Sequence, residues 1–145
     1  MQFVQSLKYL GVFLVSAEYF KCTVDHVKVK FYRMCNCLYS RSKAANSELV
    51  TVELMKSYCL SIILYATEAV SLSASNIRVL DNCTNRALYK IYGIGDTSCL
   101  LQMRMFLGLP SIADFIEMRK NNFLNQFVNG NHAVVIRISC KNLFY

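Results

Sequence analysis

The chain has 145 residues, 54% of them apolar and 17% charged, with a net charge of +7 from 16 Lys and Arg against 9 Asp and Glu. That apolar content, with a mean hydropathy of +0.30, excludes an intrinsically disordered chain, and the length fits one core rather than two. A small domain has much surface per unit volume, so with this little charge either part of that surface is expected to meet something else or the chain is expected to be a piece of a larger protein.

Residues 1–15 are β-like, with apolar Phe3 and Val4, then Tyr9, Leu10, Val12, Phe13 and Leu14. Two short strands joined near Gln5 to Lys8 are predicted, with Gly11 inside the second run marking a bulge or a close backbone approach. The first strand has little room before Met1, so the chain is expected to be truncated. Ser16 to Thr23 reads as a polar break. From there Val24, Val27, Phe31, Met34, Cys35 and Leu38 recur at three- and four-residue steps, the core stripe of a helix capped by Thr23. His26, Lys30, Arg33, Cys37 and Arg41 share another face of that helix, flanked by Tyr32 and Tyr39.

A second helix is predicted from Ser47 through Val52, Met55, Tyr58 and Ile63; apolar on every side, it is expected to be the central, most buried element. A third follows Ser71 to Ser75, with Ile77, Leu80, Thr84, Ala87, Leu88 and Ile91 inward and Gly93 as its left-handed stop. Thr97 or Asp96 caps a short helix ending at Gly108-Leu109-Pro110. Ser111 caps the last helix, with Ile112, Phe115, Ile116, Phe123 and Phe127 on one face. Arg119 falls within that stripe, its stem expected to pack while the guanidinium reaches outward. After Asn129-Gly130-Asn131, residues Ala133 to Ser139 read as a strand, either paired with the N-terminal hairpin or part of a tail.

The seven cysteines include no C-x-x-C, and the N-terminus MQFVQSLKYL lacks a basic region followed by an apolar one. Reduced thiols in an intracellular protein, cytoplasmic or nuclear rather than secreted, are expected. Cys35 and Cys37 with His26 are the nearest approach to a ligand set and fall short of the usual structural zinc spacing, so no metal is expected. The apolar run Tyr58 to Leu72 is interrupted by Ser61, Thr67, Glu68 and Ser71, so no membrane span is predicted.

The charge is uneven: residues 1–43 carry a balance of +5, residues 44–117 of −2 and residues 118–145 of +4. A basic helix face interleaved with tyrosines can track a phosphate backbone; a solvated helix face accounts for the same residues. Asp25, Asp81, Asp96 and Asp114 are scattered, with no D-x-D pair for two-metal chemistry, and no P-loop, G-x-G-x-x-G, H-E-x-x-H or G-x-S-x-G occurs.

Leu7-Lys8-Tyr9-Leu10-Gly11-Val12, Val27-Lys28-Val29-Lys30-Phe31, Met55-Lys56-Ser57-Tyr58-Cys59-Leu60 and Leu64-Tyr65-Ala66-Thr67-Glu68-Ala69 follow one another in an order that resembles the reverse transcriptases of non-LTR (LINE-type) retrotransposons. In that family a K-Y-L-G hairpin closes the palm after the catalytic strands and an L-Y-G-x-E segment belongs to the thumb; Ala66 stands where the family has Gly. Leu80 with Arg86, Ile91-Tyr92-Gly93, Leu107-Gly108-Leu109-Pro110-Ser111-Ile112 and Arg119-Lys120-Asn121-Asn122-Phe123 continue the order, so that Phe3 to Phe127 is covered.

The resemblance implies a mainly α chain: a palm-end β-hairpin over residues 1–15, a thumb-like bundle of about four to five helices over 16–128, and a tail or strand over 129–145. The family's catalytic aspartates precede the hairpin. The chain is therefore expected to be a fragment, inactive alone and without a cofactor, Mg²⁺ belonging only to the intact polymerase. A template-primer duplex of RNA or DNA is the implied partner, met by Lys8, Tyr9 and Gly11 of the hairpin and by His26, Lys30, Arg33 and Arg41 of the helix. Ordinary strand core is the alternative for Tyr9 and Leu10. Apolar surface left uncovered by a missing palm invites self-association or a partner. A helical protein-interaction or membrane-surface module, or a non-functional transposon-derived product, is the alternative function.

Overall fold

The computed structural model describes residues 6–16, 21–42 and 47–129. Strands β1 (Ser6–Tyr9) and β2 (Val12–Val15) pair antiparallel, Tyr9 opposite Val12 and Ser6 opposite Val15. Their joint is the two-residue turn Leu10-Gly11, at φ 44° and 82°. The expected joint near Gln5 to Lys8 is thus corrected: Ser6 to Lys8 lie within β1, and Gly11 is in the turn rather than in the second strand. Two successive positive φ values match the right-handed twist of the strands, and glycine adopts the second without strain. A third strand, β3 (Lys21–Thr23), forms where a polar break was expected, pairing Phe13 with Thr23 and Val15 with Lys21. Thr23 therefore ends a strand and caps nothing; the Val24 carbonyl accepts the first helical bond, from Lys28 N at 2.9 Å.

Helix α1 spans Asp25–Ser42. The next helix, α2, is α-helical over Glu48–Leu54, widens to a π turn over Met55–Cys59 and resumes over Leu60–Ile63. In the π turn the Leu60 amide bonds the Met55 carbonyl, five residues back. Helices α3 (Ala74–Tyr92), α4 (Thr97–Phe106) and α5 (Ile112–Asn129) complete the described bundle. Their ends follow the side-chain chemistry. Ser47 accepts from Val50 N at 3.4 Å, Ser73 from Asn76 N at 3.3 Å and Asp96 from Ser98 N at 3.3 Å. Ser111 and Asp114 bond reciprocally at the start of α5. Gly93, at φ 65°, stops α3.

Phe31 of α1, Val52, Met55, Cys59 and Ile63 of α2, and Leu80 and Leu88 of α3 fill the centre, with Leu100 and Ile112 closing it from α4 and α5. Met34, expected on the core stripe, is exposed, and α2 is not enclosed: α1 and α3 pack against one side of it, and Leu49, Val50 and Tyr58 face outward. Along α5 burial ends early. Ile112 and Ile116 are buried and Phe115 half-buried, whereas Phe123 is exposed as the helix runs past the bundle. The Phe127 side chain and the strand expected over Ala133 to Ser139 lie outside the described residues. Among the described residues no helix is long and apolar enough to cross a membrane.

A buried arginine ties the last two helices to the third. Arg104 on α4 donates to Asp81 Oδ1 from both terminal nitrogens at 3.0 Å, to Asn85 Oδ1 at 2.6 Å, and to the carbonyls of Leu109 at 3.2 Å and Pro110 at 2.6 Å. Asp81 also accepts from Ile112 N at 3.1 Å. The Leu107 to Ile112 connection is thereby held by Arg104 of α4 at Leu109 and Pro110 and by Asp81 of α3 at Ile112, through a fork of donors that arginine alone supplies. Arg119, expected to reach outward, bonds Glu68 in the turn after α2 and fastens α5 to it.

Candidate nucleic-acid interface

The turn of the hairpin rests on the end of α2. Tyr65 donates its hydroxyl to the Leu10 carbonyl at 3.1 Å, and its Cε1 lies 3.2 Å from where a Cβ on Gly11 would sit. Gly11 therefore permits both a left-handed φ and a close ring contact. Tyr65 is positioned by the turn Leu64 to Val70, which contains Ala66 at φ 60°, a conformation that costs a side chain with a Cβ roughly 1–2 kcal/mol. Thr67 steadies that turn, its buried hydroxyl donating to the Leu64 carbonyl at 2.9 Å.

Between hairpin, α1 and α2 opens a cleft of about 360 Å³, lined by Gly11, His26, Val27, Lys30, Ser61, Ile62 and Tyr65. His26 lies against Phe13, ring centroids 4.5 Å apart, with its Nδ1 buried and without a hydrogen-bond partner. Burial, then the charges of Lys30 and Lys8, hold the imidazole below the usual histidine pKa, opposed by the Gly11 backbone and Asp25. Lys8, paired across the strands with Phe13, holds its Nζ over the Phe13 ring, 5.8 Å from the ring centre.

Of the residues expected to meet a nucleic acid, Gly11, His26 and Lys30 line this cleft, and Lys8 is near enough for its charge to act on His26. Arg33 and Arg41 are exposed further along α1, Arg41 about 16 Å beyond Lys30 at the helical rise. Tyr9 is 62% exposed and Leu10 75%, so the strand-core alternative for them is corrected: among the described residues β1 is an edge strand of the sheet. The result is a strip of cations running from the hairpin tip along α1, beside exposed aromatic surface from Tyr9 and Tyr65.

Sequence reasoning missed Tyr65 as the support of the hairpin, although it stands in the quoted Leu64 to Ala69 stretch. Cys35 and Cys37, the nearest approach to a ligand set in the sequence, stand in different surroundings. Cys37 is exposed, whereas Cys35 turns inward and donates to Cys59 in the π turn, Sγ to Sγ 3.5 Å. That bond holds the Cys59 thiol below its usual range and, with burial, drives Cys35 above it, so the two titrate as a unit. Among the described residues no group of three or more His, Cys, Asp or Glu side chains is arranged to hold a metal ion.

No family model matches the chain, and neither the curated proteins nor the solved structures include a significant match to it.

Proposed function

We propose that the chain corresponds to the region after the catalytic palm of a non-LTR-type reverse transcriptase, and that it binds a template-primer duplex of RNA or DNA without polymerase activity of its own. The observation that carries this reading is the bond from Tyr65 to Leu10, 3.1 Å long across 55 residues. It joins two of the stretches on which the resemblance rests, Leu7 to Val12 and Leu64 to Ala69. The left-handed φ of 60° at Ala66 adds support, since the family's residue there is the one suited to it. The cleft and the cations Lys8, Lys30, Arg33 and Arg41 would then face the phosphates, and exposed Tyr9 would offer a ring to a base or sugar. Mg²⁺ would act only in the intact polymerase, and the compartment would be cytoplasmic or nuclear.

Primer extension with Mg²⁺ and nucleotides tests the inactive half of the proposal: template-dependent synthesis by the purified chain overturns it. Titration of a labelled duplex against salt tests the binding half. A helical protein-interaction module is favoured by one specific observation, the outward face of α4, where Met105 is 84% and Phe106 89% exposed. That reading predicts concentration-dependent self-association in sedimentation that persists at high salt and is lost on Phe106→Ser.

A further inference from the structure

We infer that Cys35 and Cys59 are a reversible dithiol that closes to an intramolecular disulfide, linking α1 to the π turn of α2. Their sulfurs are 3.5 Å apart, so a further approach of about 1.5 Å reaches disulfide bonding distance. The contact joins the two helices whose packing around Phe31, Met55 and Ile63 builds the core. No other thiol pair among the described residues is in hydrogen-bond contact. Cys59 sits at the end of the π turn, already out of α register, so a small displacement of its side chain breaks no regular α ladder.

The two sulfurs differ in access. Cys59 is fully buried and Cys35 half-buried, so an oxidant enters at Cys35 and Cys59 resolves. The co-reactant is a small-molecule disulfide of the glutathione kind. Access rather than acidity selects Cys35: the bond it donates to Cys59 opposes loss of its proton, and the Lys90 ammonium nearby favours charge on its sulfur once that proton has gone. Cys35 sulfur attacks one sulfur of the small disulfide; that S–S bond breaks and one small thiolate leaves, taking up the proton released by Cys35. Cys59 then gives up its proton and attacks Cys35 sulfur, expelling the second small thiol, which takes that proton. Two electrons pass from the protein dithiol to the small disulfide, and excess reduced thiol reverses both steps.

The test equilibrates the full chain with mixtures of oxidised and reduced glutathione, quenches with acid, alkylates free thiols, and maps the digest by mass spectrometry. The expected result is a Cys35–Cys59 cross-linked peptide as the main linked product, reversed by excess reduced glutathione. Cys35→Ser and Cys59→Ser each abolish it, and oxidised wild type unfolds at a higher midpoint than reduced. The inference is overturned if Cys35 and Cys59 stay alkylatable in mixtures that glutathionylate exposed Cys37 and Cys99. Glutathione retained on Cys35 without resolution, or a dominant link between other cysteines, also overturns it. The wild-type map decides the matter even if a serine variant fails to fold.

Discussion

Arg104→Met removes the charged side chain that is buried among the described residues while keeping most of its apolar stem. The variant loses the paired bonds to Asp81 and the bond to Asn85, and leaves the Leu109 and Pro110 carbonyls without their donor. Breaking a buried ion pair costs about 3–5 kcal/mol. The Asp81 side chain is 28% exposed, so water recovers part of its solvation and a loss of about 3 kcal/mol is expected. Against a total stability of roughly 5–15 kcal/mol that is a large share. With a urea slope of about 2 kcal/mol per molar, the midpoint followed by circular dichroism falls by about 1.5 M. Amide exchange should accelerate first in α4, α5 and the loop between them, the segments the guanidinium holds. A loss below about 1 kcal/mol, or unchanged exchange in α5, would refute the clamp as a determinant of this packing.

Ala66→Gly relieves a left-handed Ala costing roughly 1–2 kcal/mol and gives back about 0.5–1 kcal/mol in unfolded-chain entropy. The variant should be more stable by about 0.5–1 kcal/mol in chemical denaturation, and destabilisation would contradict the assigned turn. Gly11→Ala meets both a φ of 82° and the Tyr65 ring at 3.2 Å. It should cost about 1–3 kcal/mol and speed amide exchange in β2, whereas unchanged exchange would separate the hairpin from Tyr65. For His26, the folded pKa lies below the unfolded one, so the unfolded chain binds the proton more readily. Its contribution is complete above the unfolded value of about 6.5 and is lost as pH falls from there towards the depressed folded value. Urea midpoints between about pH 8 and 5.5 should therefore fall more steeply in wild type than in His26→Gln; parallel curves would contradict the burial assigned to the ring.

Helix limits were legible because capping is local: Ser47, Ser73, Asp96, Ser111 and Gly93 each act within a few residues of their own position. Much of the core stripes was legible for the same reason, since burial repeats at the helical period, but Met34 and Phe123 keep that period where no neighbouring element covers them enough to bury them. What escaped depends on partners distant in sequence. Tyr65 and Leu10 are 55 residues apart and Arg104 and Asp81 are 23 apart, and neither pairing leaves a local pattern. The hairpin register escaped because a polar Gln5-Ser6 is as good a turn signal as Leu10-Gly11 when only residue types are weighed. The π turn has no sequence period of its own, and it brings Cys59 opposite Cys35. In the candidate interface the cations of α1 were legible by projection on a helix. The cleft was not, because it exists only where the hairpin folds back onto α2.

The proposed binding of a nucleic-acid duplex would run along the strip from the hairpin to α1 and engage the phosphates. The most direct measurement is the salt dependence of duplex affinity for wild type and for the triple variant Lys30→Gln, Arg33→Gln, Arg41→Gln. With Lys8 and these three cations engaged, log K should fall with log salt at a slope of about −3.6, on the order of a hundredfold between about 50 and 200 mM. The variant's slope should be shallower by roughly 2.7, with its helical circular dichroism unchanged. An identical slope in the two proteins would exclude these three cations from the interface, and no duplex binding by the folded wild type at the lowest salt would exclude duplex binding by the chain.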